Sequence, residues 1–252
     1  MIKEMLQGVG VDKDDVVLLH SDITPLKNHL KYETYTDACE FLYWGMTNNT
    51  SAWVVPTFNY DFSTRGKHYK HEGTPSQVGV FTNYCLFQKK MHRTFHPVFS
   101  FIVGGEALLV HLITNDVSKD AFGDGSVFDR LYDLNAKIVM LSVPATKMTF
   151  CHYVEQRMNV WYRYKKYFTG LVTKDGQTWI DTFSLFVRDF DREVHTVLEP
   201  VVDRWEKCGI IKRYEVTPDL YMLSVSTQDL FNALRCELVQ NANAIIQYKE
   251  LE

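Results

Sequence analysis

Thr149-Phe150-Cys151-His152-Tyr153-Val154-Glu155 is the segment of this 252-residue chain best suited to moving a proton. It follows an apolar run and reads as the start of a helix, where His152 and Glu155, three apart, share a face. A carboxylate there can orient the imidazole or meet a substrate, and an imidazole changes charge near neutral pH. A structural histidine, hydrogen-bonded at the end of a strand, would look the same. Four more polar clusters lie at strand ends or just beyond, where open α/β sheets place ligand sites. They are His20-Ser21-Asp22, Pro56-Thr57-Phe58, Arg93 to Ser100, and Phe122-Gly123-Asp124-Gly125-Ser126-Val127-Phe128. Each has a plainer explanation. His-Ser-Asp can be a helix cap, and the glycine-rich run a tight turn.

The elements that must position these clusters follow from hydrophobic period. Residues 15–20, 52–55, 99–103 and 136–143 are apolar runs of strand length. Helical spacing marks residues 1–9, 34–46, 78–91, 106–113 and 150–158. Residues 57–77 have no period and read as a long functional loop. Asp175-Gly176 signals a hairpin turn within residues 170–183, and long helices are expected over 189–208 and 227–248. Strand alternating with helix around apolar strands predicts an α/β three-layer sandwich with a central mixed sheet. With no repeat and no linker, a single domain over 1–252 is expected.

Composition narrows the class. The chain is 46% hydrophobic and 23% charged, as globular domains are, and no apolar run is long enough for a membrane span. The amino terminus lacks the pattern of a secretory signal. The five cysteines are scattered and never form a CxxC pair, against a disulfide framework or a zinc site; a reducing cytoplasm suits them. A net charge of −4 argues against nucleic acid as a partner. Aromatic content is high at 14%, with surplus enough for sugar-ring surfaces or a homodimer interface.

Taken together and in order, the clusters resemble those of the aminoglycoside 3-N-acetyltransferase family, acetyl-coenzyme A enzymes distinct from the GNAT fold. The likeness rests on His20-Ser21, Pro56-Thr57-Phe58, Thr74-Pro75-Ser76 with Gly79, and the Arg93 to Ser100 segment with His96-Pro97. It continues through Phe122 to Phe128 with Leu131-Tyr132, then Thr149 with His152 and Glu155. It covers about residues 10–160 and weakens in the tail, where Ser226-Thr227-Gln228-Asp229-Leu230 opens a last helix. Asp22, Asn83, Val127 and Ser142 depart from the family pattern, which has serine, glutamate, proline and glycine there.

The resemblance implies direct acetyl transfer from acetyl-coenzyme A to an amine, without a metal. His152 would be the general base, Glu155 its partner or a ligand of the substrate ammonium, and Thr57 an oxyanion donor. The acyl donor would contact His20, Ser21, Thr57, Arg93, Ser100, Phe122, Gly123, Gly125 and Ser126. Arg93 would meet phosphate there, although a surface arginine is an equal reading, and His96 is expected to brace its loop. For the acceptor, the loop offers Tyr60 and Asp61, with His68 and Glu72 also in reach; Asp124, Glu155, Arg163 and Lys165 complete the set. Residues 161–168, Trp-Tyr-Arg-Tyr-Lys-Lys-Tyr-Phe, interleave bases with rings, as a strand with one solvated face does or as a surface for phosphate plus ring does. The pattern resembles the family branch associated with surface-polysaccharide sugars. It points to a nucleotide-linked amino sugar as acceptor; an aminoglycoside, as in antibiotic resistance, and a non-catalytic binding module are the competing readings.

Overall fold

The computed structural model describes residues 1–89, 91–189 and 193–248. Its strands are β1 (Val16–Ser21), β2 (Ala52–Pro56), β3 (Tyr69–Lys70), β4 (His92–Arg93), β5 (Phe101–Gly105), β6 (Lys137–Leu141), β7 (Arg163–Lys174), β8 (Gln177–Arg188), β9 (His195–Thr196), β10 (Lys212–Glu215), β11 (Tyr221–Ser226) and β12 (Ile246–Gln247). Its helices are α1 (Ile2–Gly8), α2 (Thr24–His29), α3 (Tyr35–Asn49), α4 (Asp61–Arg65), α5 (Val80–Phe87), α6 (Ala107–Thr114), α7 (Val127–Asp133), α8 (Cys151–Arg157), α9 (Glu199–Lys207) and α10 (Thr227–Gln240). Seven strands form one mixed sheet in the order β10-β11-β6-β1-β2-β5-β4. β1 runs parallel to β2 and β6, and the outer pairings are antiparallel.

Alternation along each strand feeds two cores. Val16, Leu18, Val54, Ile138 and Met140 face one side with residues of α7, α8 and α10, while Val17, Leu19, Val55, Val139 and Leu141 face the other with α1, α3 and α5. Each such side chain, fully buried, contributes about 1.5–3 kcal/mol. Two apolar faces must both be covered, and that requirement makes three layers. Among the described residues, no helix is long and apolar enough to cross a membrane.

Several local expectations need correction. Residues 57–77 contain α4 and β3, and helix α5 is shorter than the predicted 78–91 because β4 follows it. The hairpin is much longer than predicted: β7 and β8 pair over twelve residues each, about Asp175 and Gly176, both with positive φ. A helix from 189 is excluded where Pro200 sits, since proline lacks the N–H and clashes with the preceding turn; α9 starts at Glu199, with that proline in its first turn. Residues 190–192 lie outside those described. The last helix stops at Gln240, where Asn243 N–H donates to Asn241 Oδ1 in an Asx turn that leads into β12.

Where the family pattern has glycine, Ser142 adopts φ 52°, and its buried hydroxyl has no hydrogen-bond partner among the described residues. A left-handed non-glycine residue costs on the order of 1–3 kcal/mol. Ser142→Gly should therefore stabilise the protein by roughly 1 kcal/mol net of glycine's entropy and raise Tm by about 2–4 °C. A scanning-calorimetry Tm at or below wild type would show that the residue carries no such strain.

Candidate active site

The three parallel strands end on one edge of the sheet, and the polar clusters gather there. Thr57 follows β2 and Ser100 precedes its antiparallel neighbour β5, so the Pro56–Phe101 register brings them together. Thr57 N–H donates to Ser100 O at 2.8 Å, and the two hydroxyls lie 2.9 Å apart. Arg93, on β4, donates through Nε to Ser100 Oγ and through its terminal nitrogens to the carbonyls of His71, Thr74 and Thr57. This guanidinium ties the 57–77 segment to the sheet edge.

His20 and Ser21 end β1 opposite Met140 and Leu141 of β6. Asp22 Oδ1 accepts from Thr24 N–H in an Asx turn that leads into α2, whose N-cap residue is Ile23 and which has no side-chain cap bond. His96 Nδ1 accepts from the N–H groups of Val98 and Phe99 and so braces its loop. The Phe122 to Ser126 run forms the turn before α7: Gly125 has φ 70° and donates to Asp129 Oδ2, and Ser126 Oγ accepts from Asp129 N–H. Phe122 is buried, its ring edge-on to His152 at 5.7 Å. Gly123 packs tightly, since a Cβ there would stand 2.6 Å from the Asp120 carboxylate.

Three histidines, His71 and His96 buried and His20 with its Nε2 buried, carry a pH signature. Burial pushes His20 and His71 down to about 4 and His96 to about 3. In the unfolded chain each would titrate near 6.5, so between these values the unfolded state binds more protons. Stability should be full above about pH 6.5 and fall progressively as pH drops toward 4. A urea midpoint that stays constant from pH 7 to 4.5 would contradict this.

His152 and Glu155 are in the first turns of α8. His152 Nδ1 lies 2.6 Å from Glu155 Oε2, and Arg163 Nε stands 2.9 Å from the same oxygen. Glu155 is fully buried, while the His152 side chain is 30% exposed. Burial and the Arg163 charge hold the imidazole below its ordinary range, against the opposing pull of Glu155. Burial raises Glu155, but His152 and Arg163 outweigh it and keep the carboxyl below its usual range. The pair is thus a neutral imidazole on a carboxylate: Nδ1 donates, and Nε2 is the nitrogen left to accept a proton.

Two clefts of about 370 Å³ each meet at His152 and share Arg163 and Arg188. One is polar, with Thr146, Lys147, Thr149, Thr196 and Glu199. The other is aromatic, with Tyr60, Phe99, Phe122, Tyr164, Phe168 and Lys166 among its lining. Of the proposed acceptor contacts, Tyr60, Glu155 and Arg163 thus come together around the histidine. Asp61 instead pairs with Lys67 and Arg65 and lines a separate recess. Asp124 pairs with Arg157, and Lys165 with Asp120 at 2.6 Å. His68 bonds Thr173, and Glu72 accepts from Asp175 N–H, both at the hairpin end.

Arg188 and Lys147 were not expected at the site, and Tyr164, Lys166 and Phe168 were expected there only as part of the 161–168 stretch. Once 163–174 is recognised as a strand, its period of two puts Tyr164, Lys166 and Phe168 on one face and Lys165 on the other. That signal was present in the sequence.

A profile of the aminoglycoside 3-N-acetyltransferase family matches residues 35–235. Among solved structures, AAC-IIIb in a binary complex with CoASH is similar with a TM-score of 0.75 at 12% identity, covering 95% of each chain. YokD from Bacillus subtilis gives 0.75 at 15% identity over 95% of this chain and 98% of its own. The aminoglycoside acetyltransferase AAC(3)-IVa, as apoenzyme, gives 0.73 at 16% over 97% and 89%. At such identities the likeness is one of fold. No curated protein sequence matches the chain.

Proposed function

The chain belongs to the aminoglycoside 3-N-acetyltransferase family and is an N-acetyltransferase; from that premise we propose that it acetylates an amine of a phosphate-bearing amino sugar, with acetyl-coenzyme A as donor and His152 as general base. The donor follows from the family and from the relative solved with CoASH. Residues 1–252 act as one domain in this proposal, and Ser21, Thr57, Ser100 and the Phe122 to Ser126 turn flank the acyl donor.

The free amine attacks the thioester carbonyl carbon, and the new N–C bond forms as the carbonyl becomes an oxyanion. His152 Nε2 takes the amine proton. Collapse of the tetrahedral intermediate breaks the C–S bond, and the imidazolium returns the proton to the leaving sulfur. A hydroxyl or N–H beside Thr57 stabilises the oxyanion.

One observation carries the choice of acceptor. Beyond the Arg163–Glu155 ion pair, the described side chains lining the two clefts bring in Lys147 and Lys166, against Glu199 as the one lining carboxylate. Such a lining suits an anionic ligand and repels a polycation. The aromatic cleft adds faces for a sugar or base ring. A nucleotide-linked amino sugar, of the kind used in surface polysaccharide, meets both demands. The second reading, an aminoglycoside acceptor, is favoured by the family description itself and by a relative whose histidine-to-alanine mutant is solved with apramycin.

Thiol release from acetyl-coenzyme A, measured against UDP- and dTDP-linked amino sugars, free amino sugars and aminoglycosides, separates these. We expect kcat/KM for a nucleotide-linked sugar to exceed that of its free form by at least about tenfold, the equivalent of roughly 1.4 kcal/mol. Turnover of aminoglycosides alone would overturn the acceptor.

A further inference from the structure

We propose that Arg163, backed by Tyr162, is a positioning residue that holds Glu155 in place as the partner of His152 Nδ1 and so presents an unprotonated His152 Nε2 to the acceptor amine. The inference rests on the reading of His152 as general base and adds the device that fixes its tautomer.

The geometry begins with the chain path. Helix α8 ends at Arg157, and the chain turns back at once: Val160 N–H donates to Glu155 O, and Arg163 N–H to Val160 O. The return sets Tyr162 and Arg163 against Glu155. Both are held there, because Tyr162 O accepts from Asp189 N–H and Arg163 donates to Phe186 O across the hairpin. Arg163 pairs with Arg188 in register at the start of β7, its side chain only 6% exposed. Tyr162 is fully buried, and burial, reinforced by the Glu155 carboxylate beside it, pushes its phenol up. The Tyr162 hydroxyl, Glu155 Oε1 and Arg163 Nε have no hydrogen bond of normal geometry among the described residues, so Arg163 meets Glu155 as an ion pair through charge and proximity.

The energetics give Arg163 its role. A carboxylate with no exposed surface needs a compensating cation. Without Arg163, the nearest group able to supply that charge is His152, which would take up a proton and lose its function as a base. With the guanidinium present, the carboxylate is balanced, and the imidazole can stay neutral while still donating from Nδ1. The charged groups facing the imidazole are Glu155 from α8, Arg163 from β7 and Arg188 from β8; Lys147 and Glu199 line the polar cleft, and Lys166 the aromatic one.

The test compares wild type with Arg163→Met in steady-state kinetics across pH. We expect kcat to fall roughly tenfold, part of the about 10²–10⁴ that acid–base catalysis supplies. The acid limb of kcat/KM should move to higher pH, with KM for acetyl-coenzyme A unchanged. If instead only the acceptor KM rises and the acid limb stays in place, Arg163 is an acceptor ligand and the proposal is wrong. Should the variant fail to fold, ¹⁵N-histidine NMR of the wild-type protein decides: a neutral, Nδ1-protonated His152 is expected at pH 6.5, and an imidazolium overturns the proposal. An active His152→Ala enzyme would sink the general base separately, without altering the NMR outcome.

Discussion

Replacing His152 by alanine should lower kcat by about 10²–10⁴-fold while leaving the affinity for coenzyme A within a few-fold of wild type. The imidazole is the one group that both clefts share and that has a free nitrogen suited to accept a proton. Removing it leaves binding and positioning of two substrates intact, so residual turnover is expected rather than none. The pH dependence follows from the same residue. Burial and Arg163 hold it below the ordinary histidine range, so wild-type kcat/KM should stay high at neutral pH and fall only when pH drops below about 6.5. A variant with wild-type kcat at neutral pH would remove His152 from the mechanism; one that no longer binds coenzyme A would mean that the side chain shapes the donor cleft instead.

The second large effect is on stability. Glu155→Ala should destabilise the protein by about 3–5 kcal/mol, because it strands the buried Arg163 charge and leaves the His152 Nδ1–H without its acceptor. For a chain of this size each kcal/mol shifts Tm by about 2–4 °C, so a fall of roughly 6–20 °C is expected. Glu155→Gln keeps the volume and an oxygen for Nδ1, and should cost clearly less. Equal Tm values for the alanine variant and wild type would show that the His152–Glu155–Arg163 cluster is open to water in solution.

The parts of this site that were legible in the sequence are those in which spacing along one element sets the contact. His152 and Glu155 meet because three residues on a helix bring side chains to one face. Thr57 and Ser100 could be marked as polar residues at strand ends, yet their 2.9 Å contact depends on antiparallel pairing between β2 and β5. Arg93 shows the limit more sharply. The resemblance implied phosphate for it, with a surface arginine as the equal reading; its nitrogens meet three carbonyls, all from the distant 57–77 segment, and the Ser100 hydroxyl. In the basic stretch, alternation along β7 turns Lys165, the expected acceptor contact, to Asp120 and places Lys166 in the aromatic cleft.

By itself, then, the sequence determined the layered α/β architecture, the family and the histidine-carboxylate pair, since each is written in local period or in an ordered set of short motifs. Only the tertiary structure decided which cations surround that pair. The hairpin of β7 and β8 folds Arg163 onto a carboxylate eight residues behind it and sets Lys166 and Arg188 in clefts beside His152. Such encounters arise from packing between elements, and the free energy of burying a charge becomes visible only when the groups that balance it are in place.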